Sequence, residues 1–394
     1  MMEPTPPEST ARISGQRHAA GDLPSASPHV VDRREMALLA PYATFSQASR
    51  GRVHEEPWHP YRGPFQRDRD RILHSGAFRR LSGKLQVFTG NMGDYHRTRL
   101  THTMEVASIS RTIGRALELN EDLIEALALL HDIGHPPFGH SGESALASCL
   151  PAGQTFSHNR YALTLVTEIE RPYAAFPGLN LTYEVLAGQT HRVDKDLSAH
   201  PTSLEAQVVD LADSVTYDAH DCDDAIKLRL LTLDDLCQVP LIARCVERVR
   251  VRFGELPSAI LRRQVVHDLI DVQVADLIHH SRQQIATAGW QSALQAAESS
   301  IRLNHSPELC QEKQGLERFL YQHVYRHPEL TRVRQDAQRR ITRVVEHFTK
   351  HPEQLTEFFQ RRAAANGPLE TSVEYVAGMT DRFFDQLYQQ LFPS

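Results

Sequence analysis

Residues 127–143, LALLHDIGHPPFGHSGE, place His131, Asp132, His135, His140 and Glu143 directly behind an aliphatic run. Imidazole nitrogens and carboxylate oxygens are donors that divalent metals take from proteins, and they also move protons in general acid–base chemistry. Two other stretches add to this set. In THTMEVASISRTIGRAL, His102 shares a helical face with Val106, Ile109 and Ile113, so its ring points toward the core. His131 lies seven residues beyond Ile124 and four beyond Leu127, again at the end of an apolar face. In SLEAQVVDLADSVTYDAHDCDDAI, a helical period gathers Asp210, Asp213, Tyr217, His220, Asp221 and Asp224 into an arc of roughly 100°. Val208, Ala212, Val215 and Ala219 line the opposite side. Taken singly, a histidine closing an apolar stripe is most often a hydrogen-bonded core residue, and an acidic arc is most often a solvated face. Jointly, two inward imidazoles and two aspartates form a mixed nitrogen and oxygen set suited to a divalent metal.

The elements that must position these groups read as helices. Helix-period stretches fall at about 102–118, 121–132, 158–169, 204–228, 258–280, 312–325, 334–349 and 371–391, with little strand-like alternation. The predicted fold class is all-α. Gly134 is expected to stop the helix that carries His131, and NMGDYH, HPPFGH and PYAAFPGLN hold the turn formers. Residues 1–35 are rich in Pro, Ser and Ala without apolar periodicity and read as a disordered tail.

Composition narrows the remaining classes. A chain of 394 residues, 41% hydrophobic, buries a sizeable core. No window approaches the roughly 18 apolar residues of a membrane span, and the N-terminus lacks a secretory apolar core, so a cytoplasmic protein is expected. Five scattered cysteines without a CxxC pair indicate neither a disulfide framework nor a zinc ribbon. The net charge of −6 argues against general nucleic-acid affinity. Between Arg62 and Arg99, however, nine Lys or Arg face three acids, a local cationic excess that fits either an anionic ligand or a solvated face.

The order of a histidine, an HD pair and a distant aspartate resembles the HD-domain phosphohydrolases. The segments QRDRDRILHSGAFRRLSGKLQVF (66–88), RTRLTHTMEVA (97–107), HDIGHPPFGHSGE (131–143), GLNLTYEVL (178–186), EAQVVDLADSVTYDAHDCDDAI (205–226) and YVAGMTDRFF (375–384) extend the match. From about Met36 to the C-terminus the sequence resembles the bacterial deoxyguanosinetriphosphate triphosphohydrolase-like proteins. The resemblance implies an HD-domain catalytic core at 36–230 with a phosphate-binding segment at 62–99, and a helical C-terminal region at 231–394 packed on it. It implies hydrolysis of a deoxynucleoside triphosphate at the α-phosphorus, giving deoxynucleoside and intact triphosphate. Carried over residue by residue, the metal ligands are His102, His131, Asp132 and Asp213, for magnesium or manganese, with iron, zinc or nickel also compatible. His140, as general acid, and Glu143 are the implied catalytic pair. Arg80, Lys84, Gln86, Arg99, His135, His158, Tyr217 and Asp221 are the implied substrate contacts: Gln86 at the 3′-hydroxyl, Tyr217 against C2′ and the basic groups at the phosphates. The family motif F-E-H-N reads FSHN here, with Ser157 in place of Glu. The resemblance also implies a homo-oligomer, hexameric or tetrameric, and a possible activating dNTP. Two alternatives accompany it: another HD phosphohydrolase, such as a nucleotidase or phosphodiesterase, or a single-stranded nucleic-acid binder whose HD site is regulatory.

Overall fold

The structure, a computed structural model, describes residues 29–86, 97–193 and 201–393. These residues are all-α: no strand occurs among them, and only two isolated antiparallel bridges, Arg52 with Thr182 and Leu85 with Thr98, pair extended backbone. No helix among them is long and apolar enough to cross a membrane.

Three helices position the metal-type donors, the second ending at Leu130 with His131 as its C-cap and Asp132 in the turn beyond, and each starts at a side chain that satisfies an orphan backbone amide. Thr98 caps Arg99–Ala116 by accepting from the Thr101 amide. Asn120 caps Glu121–Leu130 by accepting from the amides of Asp122 and Leu123. Ser203 caps Leu204–Lys227 by accepting from the Ala206 amide. The three pack against one another, and their apolar faces, including Ile113, Leu123, Ile124, Leu130, Val208 and Ala212, form the main core. Each such side chain contributes about 1.5–3 kcal/mol on burial.

That core is not confined to the N-terminal half. Ile341, Val344 and Phe348 of Pro328–Lys350, Val373 and Val376 of Pro368–Ala377, and Phe384 of Asp381–Leu391 belong to it. A second core gathers Leu241, Cys245, Leu269, Leu316 and Val324 around Ala219 and Cys222. The long helix Leu204–Lys227 therefore serves the main core with its first half and the second core with its last.

Several elements depart from the sequence reading. The stretch at 371–391 is two helices, Pro368–Ala377 and Asp381–Leu391, because Thr380 caps the second by accepting from the Phe383 amide. The stretches at 158–169 and 312–325 each end in one wide helical turn, Leu165–Ile169 and Tyr321–Tyr325. The helix His29–Leu38 begins inside the segment read as a tail, and its Glu35 is buried, accepting from Ser46 and Asn120. Residues 1–28 and 87–96, the latter within the implied phosphate-binding segment, lie outside the described residues.

Candidate metal centre and catalytic site

His102, His131 and Asp213 each offer a ligand atom within 4.8 Å of the others. Each donor has its far atom pinned and its near atom free. His131 Nδ1 lies 2.6 Å from the Ala128 carbonyl, which only accepts, so the proton sits on Nδ1. Its Nε2 is left as a buried lone pair with no hydrogen-bond partner. Glu105 accepts from His220 Nε2, and His220 Nδ1 faces His102 Nδ1 at 3.3 Å. With its proton on Nε2, His220 accepts at Nδ1 from His102, whose own Nε2 is thereby a lone pair. That lone pair faces Asp213 Oδ1 at 3.1 Å, and His131 Nε2 lies 3.7 Å from the same oxygen. Three electron-rich atoms that face each other so closely call for a shared cation. Asp132 is held similarly at its far oxygen, Arg99 Nη1 lying 2.8 Å from Oδ2, while Oδ1 lies 3.8 Å from His131 Nε2 and 2.8 Å from His135 Nδ1. Asp213 Oδ2 is held by Arg192 at 2.7 Å. The His2Asp2 donor set thus fits a divalent ion.

Electrostatics agree with that fit. Burial, above all, keeps the imidazoles of His131 and His135 below their usual range and hence neutral. For Asp132 and Asp213 burial opposes ionisation, but both carboxyls are held well below the usual range, with the permanently charged guanidinium of Arg99 beside Asp132 and that of Arg192 beside Asp213 favouring the anions.

Beside this centre stands a second group of imidazoles. Glu143 lies 3.0 Å from His140 Nδ1 through one oxygen and 2.8 Å from His158 Nδ1 through the other. It also accepts from the His158 amide. Burial again opposes its ionisation, but the contacts from His140 and His158 keep the carboxyl well below its ordinary range. The carboxylate facing His158 is therefore Glu143, and Ser157 makes no side-chain cap to the helix His158–Thr164. His135 stacks on His158, ring centroids 3.7 Å apart. Two glycines allow this crowding. A Cβ at Gly134 would sit 2.0 Å from the His158 carbonyl oxygen, and Gly139, at φ +57°, leaves room for the Arg99 guanidinium, which a Cβ would meet at 2.7 Å.

A cavity of about 290 Å³ opens next to His140, lined by Gln86, Phe138, Tyr217, Tyr325, Arg334 and Gln338 among others. The Gln86 carboxamide oxygen is buried there without a hydrogen-bond partner. The Tyr217 and Tyr325 hydroxyls bond each other, and Tyr325 donates to buried Asp221.

The structure therefore brings together His102, His131, Asp132 and Asp213; His135, His140, Glu143 and His158; and Gln86, Tyr217 and Asp221. Arg99 joins them, only 2% exposed and bonded to Asp132 and the Gln86 carbonyl. Arg80 and Lys84 stand apart. Arg80 pairs with Glu170 at 3.3 Å and lines a different cavity with Tyr161 and Tyr375. The Lys84 amino group donates to the carbonyls of His135 and Ala377, and its burial lowers it to about 7. Most of the local cationic excess is spent internally: Arg62 on Asp70, Arg67 and Arg71 on Glu56, Arg69 on Asp70 and Glu125, Arg97 on Glu105, Asp223 and Asp224. Sequence reasoning missed Arg192, Glu105, Tyr325, Arg334 and Gln338. His220 was visible on the polar arc, but its partner was not.

An all-helical chain with histidine and HD donors converging in this way defines an HD-domain phosphohydrolase. Residues 99–218 match the HD domain family, and residues 303–390 match the phosphohydrolase-associated domain. Curated relatives called deoxyguanosinetriphosphate triphosphohydrolase-like protein include one from Leptospira interrogans serogroup Icterohaemorrhagiae serovar copenhageni, 38% identical over 371 residues, covering 91% of this chain and 97% of that protein. One from Nitrosomonas europaea is 39% identical over 366 residues, 90% of this chain and 98% of that protein. One from Ralstonia nicotianae is 40% identical over 366 residues, 90% and 94% respectively. The chain belongs to the deoxyguanosinetriphosphate triphosphohydrolase-like family.

Proposed function

We propose that this protein hydrolyses deoxynucleoside triphosphates at the α-phosphorus, releasing deoxynucleoside and unbroken triphosphate. The observation that carries the reading is the convergence of His102, His131 and Asp213, with Asp132 3.8 Å from His131 and held by Arg99, beside three imidazoles and a nucleoside-sized cavity. A divalent ion held by the four donors, magnesium or manganese or a softer ion, would orient the α-phosphate, offset its charge and lower the pKa of water.

The chain's own groups do the rest. His140, its side chain 64% exposed at the mouth of the cavity, delivers a proton to the departing 5′-oxygen, and Glu143 orients its ring through Nδ1. His135 and His158, from two different elements, face the phosphates with Arg99 behind them. Gln86 offers its unpartnered carboxamide oxygen to the 3′-hydroxyl. Tyr217 stands where a ribose 2′-hydroxyl would need room, so a ribonucleotide fits less well. Lys84 and Arg80, committed to carbonyls and to Glu170, support the scaffold around the site.

The test is product analysis in heavy-oxygen water. Each dNTP, supplied with Mn²⁺, should give deoxynucleoside and triphosphate with the label on triphosphate alone. His140→Ala should keep its metal and lose about 10²-fold or more in kcat. Label in the nucleoside, or release of orthophosphate or pyrophosphate, refutes the reading.

A further inference from the structure

We propose that His135, His140, His158 and Glu143 form a second cation subsite, selective for a borderline transition ion such as Zn²⁺, and that its occupancy switches the hydrolase off. This rests on the reading of His102, His131, Asp132 and Asp213 as the primary ligands and adds regulation to it.

One donor atom from each of the four residues lies within 4.8 Å of the others. They come from three separate elements: the loop after the HD pair, the first turn of Gly139–Cys149, and the start of His158–Thr164. His135 supplies the independent sign of a missing ligand. It is 3% exposed, and neither of its ring nitrogens has a hydrogen-bond partner. Its Nδ1 lies 2.8 Å from Asp132 Oδ1 without the alignment of a hydrogen bond. Leaving both nitrogens of a buried imidazole unsatisfied is costly unless something occupies the space beside them. Glu143 adds a carboxylate already shared between His140 and His158. Exposed His140 gives an ion a way in from solvent.

The donor count sets the selectivity. Three imidazole nitrogens and one carboxylate oxygen match the preferences of Zn²⁺, Ni²⁺ or Cu²⁺, whereas Mg²⁺ seeks oxygen ligands and keeps its waters. The primary centre, with two nitrogens and two carboxylates, accepts both kinds. Mg²⁺ or Mn²⁺ therefore fills the primary centre alone, while Zn²⁺ fills both. At the second subsite the ion takes the place of the Nδ1 protons that His140 and His158 direct at Glu143, and each imidazole keeps one proton by moving it to Nε2. His140 and Glu143 are then no longer arranged for proton delivery, and His135 and His158 no longer face a phosphate.

Metal counting on the full-length protein tests this. Zn²⁺ or Co²⁺ added to metal-free protein should bind at two per chain, with the second equivalent giving its own Co²⁺ visible spectrum. His140→Ala and His158→Ala should each lose the second equivalent and keep Mn²⁺ at the primary centre. Asp213→Ala should lose the primary ion and keep the second. When metal-free protein is titrated with Zn²⁺, the first equivalent should leave dNTP turnover in place and the second should abolish it, while excess Mg²⁺ or Mn²⁺ alone should not inhibit. A single Zn²⁺ per chain, a second Zn²⁺ that survives both histidine variants, or inhibition complete before the second equivalent binds would each overturn the proposal. Failure of the primary reading has a different signature: Asp213→Ala would then retain Mn²⁺.

Discussion

Glu105 touches none of the reacting groups, yet its carboxylate fixes the tautomer of His220 and, through it, the lone pair of His102. It is a positioning residue, one helical turn beyond the histidine it serves and packed against a histidine from another helix. Partners of this kind are worth about 10–100-fold in metal affinity. Glu105→Ala should weaken Mn²⁺ binding on that scale with an unchanged helical spectrum, while Glu105→Gln, whose carbonyl still accepts from His220, should restore most of it. Isothermal titration with Mn²⁺ reads both, and equal affinity in wild type and Glu105→Ala refutes the relay. His102, His131 and Asp213 were legible in the sequence because a 3.6-residue period tells which face a side chain occupies. Glu105, Arg192 and the pairing of His220 were not, since meetings across helices depend on packing that periodicity does not encode. The cationic cluster shows the reverse error: local charge is readable, but whether an arginine faces a ligand or a neighbouring carboxylate is decided in three dimensions.

At the scale of elements, the joint between Leu204–Lys227 and Pro307–Leu320 is clamped by Lys313, which donates to Asp218. Burial pushes the Asp218 carboxyl up to about 6, and Lys313 only partly offsets it. Against an unfolded value of 3.8, the folded chain binds the extra proton between about pH 4 and 6. Folding is thus favoured by protonation there, and this contribution fades as pH rises through 6. By linkage the loss is about 3 kcal/mol. Removing the pair as a unit, Asp218→Leu with Lys313→Leu, should erase the slope and be neutral or stabilising at pH 8, whereas Lys313→Leu alone should cost about 3–5 kcal/mol. Urea unfolding at pH 4.5, 6 and 8 checks this, and parallel pH profiles for wild type and the double variant would refute it. The helices themselves were largely legible because caps and apolar periods are local. The break at 378–380 is a local cap at Thr380 hidden under a continuous apolar period, and that period does not distinguish an ordinary turn from the wide turns Leu165–Ile169 and Tyr321–Tyr325.

The whole molecule closes the site from its far end. Asp381 accepts from the amides of Leu85 and Phe138, joining the segment that carries Gln86 to the turn that precedes His140. Ala377 accepts from Lys84, and Tyr325 reaches back to Tyr217 and Asp221 on the long helix. The sequence marked residues 231–394 as helical, but no local pattern tells that one of their tyrosines bonds Tyr217 and Asp221, because those contacts span more than a hundred residues. Tyr325→Phe keeps the ring and deletes its hydroxyl. Tyr217 then loses its bond, and Asp221, whose carboxyl burial raises well above its usual range, loses the donor it shares. The four metal donors are untouched, so bound Mn²⁺ should change little, while the buried Asp221 carboxyl left without its donor should lower stability by about 1–3 kcal/mol. What should change is the fit around C2′, since a Tyr217 ring free to tilt no longer excludes a 2′-hydroxyl. Giving up one such constraint is worth about 1.4 kcal/mol, so the preference in kcat/KM for a deoxynucleotide over its ribonucleotide should fall about tenfold. Parallel assays of dGTP and GTP with wild type and Tyr325→Phe measure that ratio. If the ratio is unchanged while both activities fall together, Tyr325 is part of the scaffold and deoxyribose selection lies elsewhere in the cavity.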